Sequence, residues 1–106
     1  MSEAAKVIRI LPISQLKGLP LGRALIKVGW LTDAQVLQGL DVQKEKRANG
    51  VDMPLGEILA ELGLITDSVC NLVLAAQAGN QLMYEMVAAE LERDGVPIVR
   101  EYPPQE

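Results

Sequence analysis

From Leu21 the chain places Leu25 and Val28 four and three positions further on, a spacing that lines one side of a short helix. Pro20 suits the first turn of that helix, where a missing N–H costs nothing, and Gly29 suits its end. Trp30 and Leu31 follow, and Thr32 predicts the N-cap of a longer helix, with Asp33 complementing the positive end of its dipole. Val36, Leu37 and Leu40 are expected to line the inner face of this helix, with Gln43 one turn further. The charged run over residues 44–47 reads as a solvated helix end. Residues 48–53, containing Asn49 and Gly50, read as a loop.

The same plan returns 34 positions later. Pro54, Leu55 and Gly56 match Pro20, Leu21 and Gly22; Leu59 matches Leu25, Gly63 matches Gly29, and Thr66 and Asp67 match Thr32 and Asp33. Leu74 then matches Leu40 and Gln77 matches Gln43, nine identities in a unit of 24 residues. A repeat at fixed offset organises everything around it. The second long helix is expected to carry Val69, Leu72, Val73 and Leu74. Helical spacing runs on past Gln77 through Leu82, Met83, Met86, Val87 and Leu91 to about Arg93, with Gly79 as a potential break and Asp94-Gly95 as the stop.

The ends differ in kind. Val7 to Ile10 is a β-rich run closed by Pro12, and Ser14 is placed to cap a brief turn before Gly18. Val96 to Val99 reads as extended, and Pro97 restricts it to an edge strand that could pair with Val7 to Ile10. The pattern therefore predicts a mainly α, compact helical domain. It is built from two tandem short-helix/long-helix units with short extended segments at both termini. Its boundaries are an extended arm over 1–19, a repeat domain over 20–95 (units 20–43 and 54–77, closing helix 78–94) and an extended tail over 96–106.

Composition narrows the chemistry. The chain has 106 residues, 49% apolar but only 3% aromatic, so one aliphatic core is expected. A net charge of -4 argues against a surface that grips DNA or RNA. Cys70 is the single cysteine and stands where the first unit has Val36, which reads as a small buried hydrophobe. There is no His, no Gly-Lys-Ser/Thr phosphate loop, no ligand cluster for a metal and no serine in a nucleophile context. No enzyme is expected. No apolar run reaches the length of a membrane span and no signal peptide is visible, so the expectation is a cytoplasmic protein without membrane insertion. The 34-residue offset is shared by tetratricopeptide arrays, but those use a different residue pattern and at least three repeats.

The repeated pattern of Leu-Gly, two apolar residues, Gly, two apolar residues, then apolar, Leu and Gln at fixed spacing resembles a known tandem motif. It is that of the N-terminal domain on ATPases of type II secretion and type IV pilus assembly. In the MshE-type branch of that family two such motifs bind cyclic di-GMP. The resemblance covers a little over half the chain; nothing of the ATPase machinery accompanies it, so the expectation is a free-standing module or a fragment, with the first favoured. The resemblance implies ligand contacts at Leu21, Gly22, Arg23, Gly29 and Gln43 of the first unit and at Leu55, Gly56, Gly63 and Gln77 of the second. The family motif opens with Arg where this chain has Pro20 and Pro54, and the spacer before the second unit is longer than usual.

Two functions follow from these residues. The first is a non-enzymatic adaptor that docks a protein partner of a secretion, pilus or signalling machine, with Trp30, Met83 and Met86 as contact residues. The second is a cyclic di-GMP sensor, the dinucleotide being the one ligand the sequence suggests. The missing arginines favour the adaptor. The closing helix completes the core or, through its methionines, forms a homodimer seam.

Overall fold

The computed structural model describes residues 7–101; expectations for residues 1–6 and 102–106 lie outside the described residues. Five α-helices carry the fold: α1 (Leu21–Lys27), α2 (Asp33–Ala48), α3 (Leu55–Glu61), α4 (Asp67–Gln77) and α5 (Gln81–Arg93). A short strand β1 (Ile8–Ile10) and a single 3-10 turn (Ile13–Gln15) precede them, and β2 (Ile98–Arg100) follows. The domain is mainly helical, as the periodicity predicts.

Each repeat unit forms as one short and one long helix. Thr32 caps α2 through a reciprocal box: its Oγ1 accepts from the Gln35 N–H at 3.2 Å, and the Gln35 side chain accepts from the Thr32 N–H at 2.9 Å. Thr66 caps α4 by accepting from the Val69 N–H. Such caps contribute about 1 kcal/mol each by satisfying otherwise unpaired N–H groups. Pro20 and Pro54 sit one residue earlier than expected, as extended N-caps rather than inside the first turn. The 3-10 turn likewise has Pro12, not Ser14, at its cap.

The long helix expected to run past Gln77 to Arg93 is two helices. Gly79 takes φ +74, a state that only glycine adopts without strain, and the Asn80 side chain then accepts from the Met83 N–H to start α5. The break folds α5 back onto α4, the largest helix–helix contact in the domain. The closing helix therefore spans Gln81–Arg93 rather than 78–94.

The terminal segments form a parallel pair with Ile8 opposite Ile98 and Ile10 opposite Arg100. The stretch read as an extended arm is structural: Ile8, Ile10 and Leu16 are completely buried, and the Arg9 N–H donates to the Val28 carbonyl at the end of α1. Just beyond the end of β1, the fully buried Tyr84 of α5 donates its hydroxyl to the Leu11 carbonyl at 2.8 Å. β1 is thus the meeting point of α1, α5 and β2.

The core comprises Leu25, Val28, Leu59, Val69, Leu72, Val73, Val87 and Leu91 with the two strand isoleucines. Leu37 and Leu40, expected on the inner face of α2, are instead 59% and 40% exposed. The inner face of α2 is carried by Val36 and Gly39. A Cβ on Gly39 would lie 2.6 Å from Leu59 Cδ2 and 3.1 Å from Leu55 Cδ1, so the absence of a side chain sets how closely α2 approaches α3. Leu37 and Leu40 each stand one position after a contact residue, about 100° further round the helix, and so turn outward. Leu74, the counterpart of Leu40, is 47% exposed for the same reason of register.

Candidate functional site

The two units are related by an approximate two-fold exchange, visible in matched contacts. A Cβ on Gly22 would meet Val36 and Leu55; a Cβ on Gly56 would meet Cys70 and Leu21. These are the same contacts with the units swapped. The glutamines follow the same rule. Gln43 Nε2 donates to the Met53 carbonyl at 3.0 Å, just ahead of Pro54, and Gln77 Nε2 donates to the Leu19 carbonyl at 2.6 Å, just ahead of Pro20. Each unit ends by clasping the entry of the other. On the exchange axis, Trp30 Nε1 donates to the carbonyl of Leu64, its own counterpart, at 3.1 Å.

These contacts locate every residue singled out from the sequence. Leu21 and Leu55 are half-buried where α1 and α3 begin, and Gly22 and Gly56 are the points of close approach beside them. Gly29 and Gly63 are exposed and end the short helices in left-handed backbone states, at φ +83 and +76. Arg23 is exposed on the outer side of α1. Gln43 and Gln77 are half-buried with their amide N–H groups engaged in the clasps. Trp30 is half-buried against the core. The structure therefore brings Leu21, Gly22, Leu55 and Gly56 together. It employs Gly22, Gly56, the glutamines and Trp30 in holding the units to each other.

Eight of the nine repeated pairs have a role in the fold on this reading: caps, helix ends, close approaches, core or clasps. Leu40 and Leu74 do not. Both are exposed, although the repeat keeps leucine at each. They are a signal the repeat carried but that periodicity alone misreads as core.

Met83 and Met86 lie on the outer side of α5, 45% and 56% exposed. With Leu74 they line a groove between α4 and α5 of about 660 Å³, bordered by Asn71, Glu90 and Arg93. That volume lies within the range of ordinary ligand and peptide sites. The groove exists because Tyr84, Val87 and Leu91 turn one side of α5 to the core while the methionine side is left over. Methionine is flexible and polarisable, and suits contact surfaces that must adapt to a partner.

Cys70 is half-buried, and burial raises its thiol pKa, with the nearby Asp67 carboxylate adding to the effect. A thiol held protonated in this way is a poor nucleophile. Among the described residues no group of three or more acidic or cysteine side chains could hold a metal, and no helix is long and apolar enough to cross a membrane. The units differ in charge at matched positions: Arg23 and Lys27 on α1 stand where α3 has Glu57 and Glu61. No family model, no curated protein and no solved structure matches this chain.

Proposed function

We propose that the chain is a non-enzymatic adaptor that docks a protein partner on the groove between α4 and α5. The carrying observation is that groove, with Leu74, Met83 and Met86 side by side and exposed at its walls. Three large apolar side chains on one face cost solubility and add nothing to the core, so a covering partner supplies the reason for them. The resemblance of the tandem motif to the N-terminal domain of secretion and pilus-assembly ATPases supports the same reading. So does the departure of Pro20 and Pro54 from that motif, and a cytoplasmic setting accords with it.

The test is capture with a tagged chain and identification of what is bound. Met86→Glu is expected to remove the captured partner while changing the melting temperature little, because Met86 is more than half exposed. Arg23→Glu, away from the groove, is expected to leave capture intact. A captured set that Met86→Glu and Met83→Glu both leave unchanged would sink the assignment of the groove.

A second reading, binding of cyclic di-GMP, is favoured by one observation, the repeated exposed pair Leu40 and Leu74. A ligand with two like halves would give a repeat a reason to keep the same apolar side chain on both units. Against it stands the engagement of one N–H of each glutamine amide by Met53 and Leu19, which fixes both side chains inside the fold. Calorimetric titration with cyclic di-GMP, using GTP and cyclic di-AMP as controls, separates the two. Selective saturable heat that Leu40→Ala and Leu74→Ala each weaken is the sensor's signature. Absence of heat leaves the adaptor.

A further inference from the structure

We infer that the groove between α4 and α5 is filled by α2 of a second copy of this chain. The inference rests on the reading of that groove as a protein-docking surface, and names its occupant.

Three observations carry it. The first is an apolar stripe on α2 with nothing over it. Leu37 and Leu40 are exposed on one side of a 16-residue helix, and Lys44 continues the stripe one turn on. On α4, the matching helix, a fifth helix does pack, because Leu72, Ala75 and Ala76 there are buried and apolar. The counterparts on α2 are Gln38, Asp41 and Val42, so α2 cannot take its own copy of α5 in that place. What it offers instead is the narrower stripe of Leu37 and Leu40.

The second observation is register. The stripe on α2 falls at positions 37, 40 and 44, and the groove side of α5 falls at 83, 86 and 90, with the same spacing of three and then four. Laid side by side in the same direction, the helices place Leu37 against Met83 and Leu40 against Met86, with Lys44 against Glu90. Opposite charges meet at the end of an apolar seam, as in helix pairs that set their own alignment; one turn further Arg47 comes against Arg93, a like pair tempered by Asp52, 3.5 Å from Arg47. The reversed alignment that keeps Leu40 on Met83 and Leu37 on Met86 brings Asp33 to Glu90 and is repelled. Among the described residues neither Lys44 nor Glu90 has an ion pair within its own chain.

The third is the distribution of charge along the whole chain. Up to Gly50 there are eight Lys and Arg against four Asp and Glu; beyond it there are two against ten. α2 belongs to the basic half and the groove to the acidic half; α2 itself balances Lys44, Lys46 and Arg47 against Asp33, Asp41 and Glu45, and the groove is bordered by Glu90 and Arg93, so the attraction acts between the halves rather than along the seam. Two copies therefore attract when the first half of one faces the second half of the other, and repel in like-to-like arrangements. A partner that pairs α5 with α5 would bring together two acidic surfaces. The contact joins two different patches, so a pair can exchange α2 for groove in both directions, and one-way growth makes a chain.

Sedimentation or light scattering of the full chain tests this. The wild type is expected to gain mass with concentration. Leu40→Glu, on the stripe, and Met86→Glu, in the groove, are each expected to stay monomeric with an unchanged circular dichroism spectrum and melting temperature. Mixed together, the two variants are expected to form a 1:1 pair, because each keeps the patch that the other lacks. For register, Lys44→Glu and Glu90→Lys should each weaken association by about fivefold, and the double variant should recover it. A wild type that remains monomeric at its highest soluble concentration overturns the second copy as occupant. The groove reading itself then stands or falls on the capture test above. Association that Met86→Glu abolishes and Leu40→Glu leaves intact overturns α2 as the occupant and retains the groove. Variants that fail to pair on mixing overturn the proposal too.

Discussion

The first and second units share their backbone plan and differ in what lies outside it. Both begin with a proline cap, turn at a left-handed glycine, restart at a threonine cap and end in a glutamine clasp. Yet α4 is covered by α5 and sends Leu72, Val73, Ala75 and Ala76 into the core, whereas α2 sends Val36 and Gly39. The contrast is sharpest at one matched pair. Val73 is completely buried; Gly39, its counterpart, has no side chain because Leu59 occupies the space. Residues that cap the helices or hold the two units to each other repeat, while, the exposed pair Leu40 and Leu74 apart, residues that meet each unit's other surroundings diverge. The mismatches of the repeat therefore mark where each unit touches something different.

The strongest way to break the comparison is to exchange that pair. Val73→Gly removes a fully buried side chain and puts glycine into a helix interior, and should cost about 3 kcal/mol. Gly39→Val forces a branched side chain into contact with Leu59 and Leu55 and should cost about 2 kcal/mol, from overpacking. Denaturant unfolding would measure both. Equal tolerance of valine and glycine at both positions would mean that the asymmetry between the units lies elsewhere.

Tyr84 comes next. α5 packs on α4 of the second unit and on β2, and the Tyr84 hydroxyl ties it to the Leu11 carbonyl just beyond β1. Tyr84→Phe keeps the packing and leaves a buried carbonyl without this donor, at a cost of about 1–2 kcal/mol. Hydrogen exchange should then show α5 and β1 loosening together while α2 keeps its protection. Loosening of α2 to the same extent would show that the first unit depends on α5 as well.

How much of this could be read from residues alone is clearest at particular positions. The caps and the helix ends are legible because each rests on a local signal: Thr32 and Thr66 for the caps, and Gly29 and Gly63 for the ends. The division between α4 and α5 was half legible. Gly79 was visible, but the apolar spacing on both sides of it stays in phase, so the break depends on Asn80 capping a new helix. Leu37, Leu40 and Leu74 were misplaced because a periodic pattern gives a stripe without saying which edge of it is covered. That depends on how near the next helix comes, which Gly39 decides through a contact 20 positions away. Tyr84 was passed over, though its spacing to Val87 and Leu91 matches the core side of α5. The glutamines were noticed by their repetition, but their partners are carbonyls of Met53 and Leu19, which no side-chain pattern can announce. The groove was legible only in part: Met83 and Met86 stood out as candidates, but Leu74 had been assigned to the core.

The two clasps offer a finer comparison. Gln77 reaches Leu19 across 58 positions at 2.6 Å, whereas Gln43 reaches Met53 across 10 at 3.0 Å. Replacing either by Ala should cost about 1 kcal/mol, with Gln77→Ala the larger because its bond is shorter and holds the entry of the chain's first helix to the end of α4. Equal effects would mean that the two clasps are equivalent in energy as well as in form.

The smallest effect separates the repeat from the strands that close it. Arg9 of β1 donates from Nε and Nη2 to the two carboxylate oxygens of Glu101, at 3.0 and 2.9 Å, on the exposed side of the terminal pair. The hydrogen bond and the charge of Arg9 hold the Glu101 carboxyl below its ordinary pKa. A carboxylate whose folded pKa lies below its unfolded one binds fewer protons in the folded state through that range. Its contribution to stability is complete above the ordinary carboxylate pKa and is lost as pH falls through the lowered value. Because both groups are at the surface, the contribution is small and screened by salt. Glu101→Gln is expected to flatten the acid limb of the stability curve slightly and leave stability at neutral pH nearly unchanged. Added salt should erase the difference between variant and wild type.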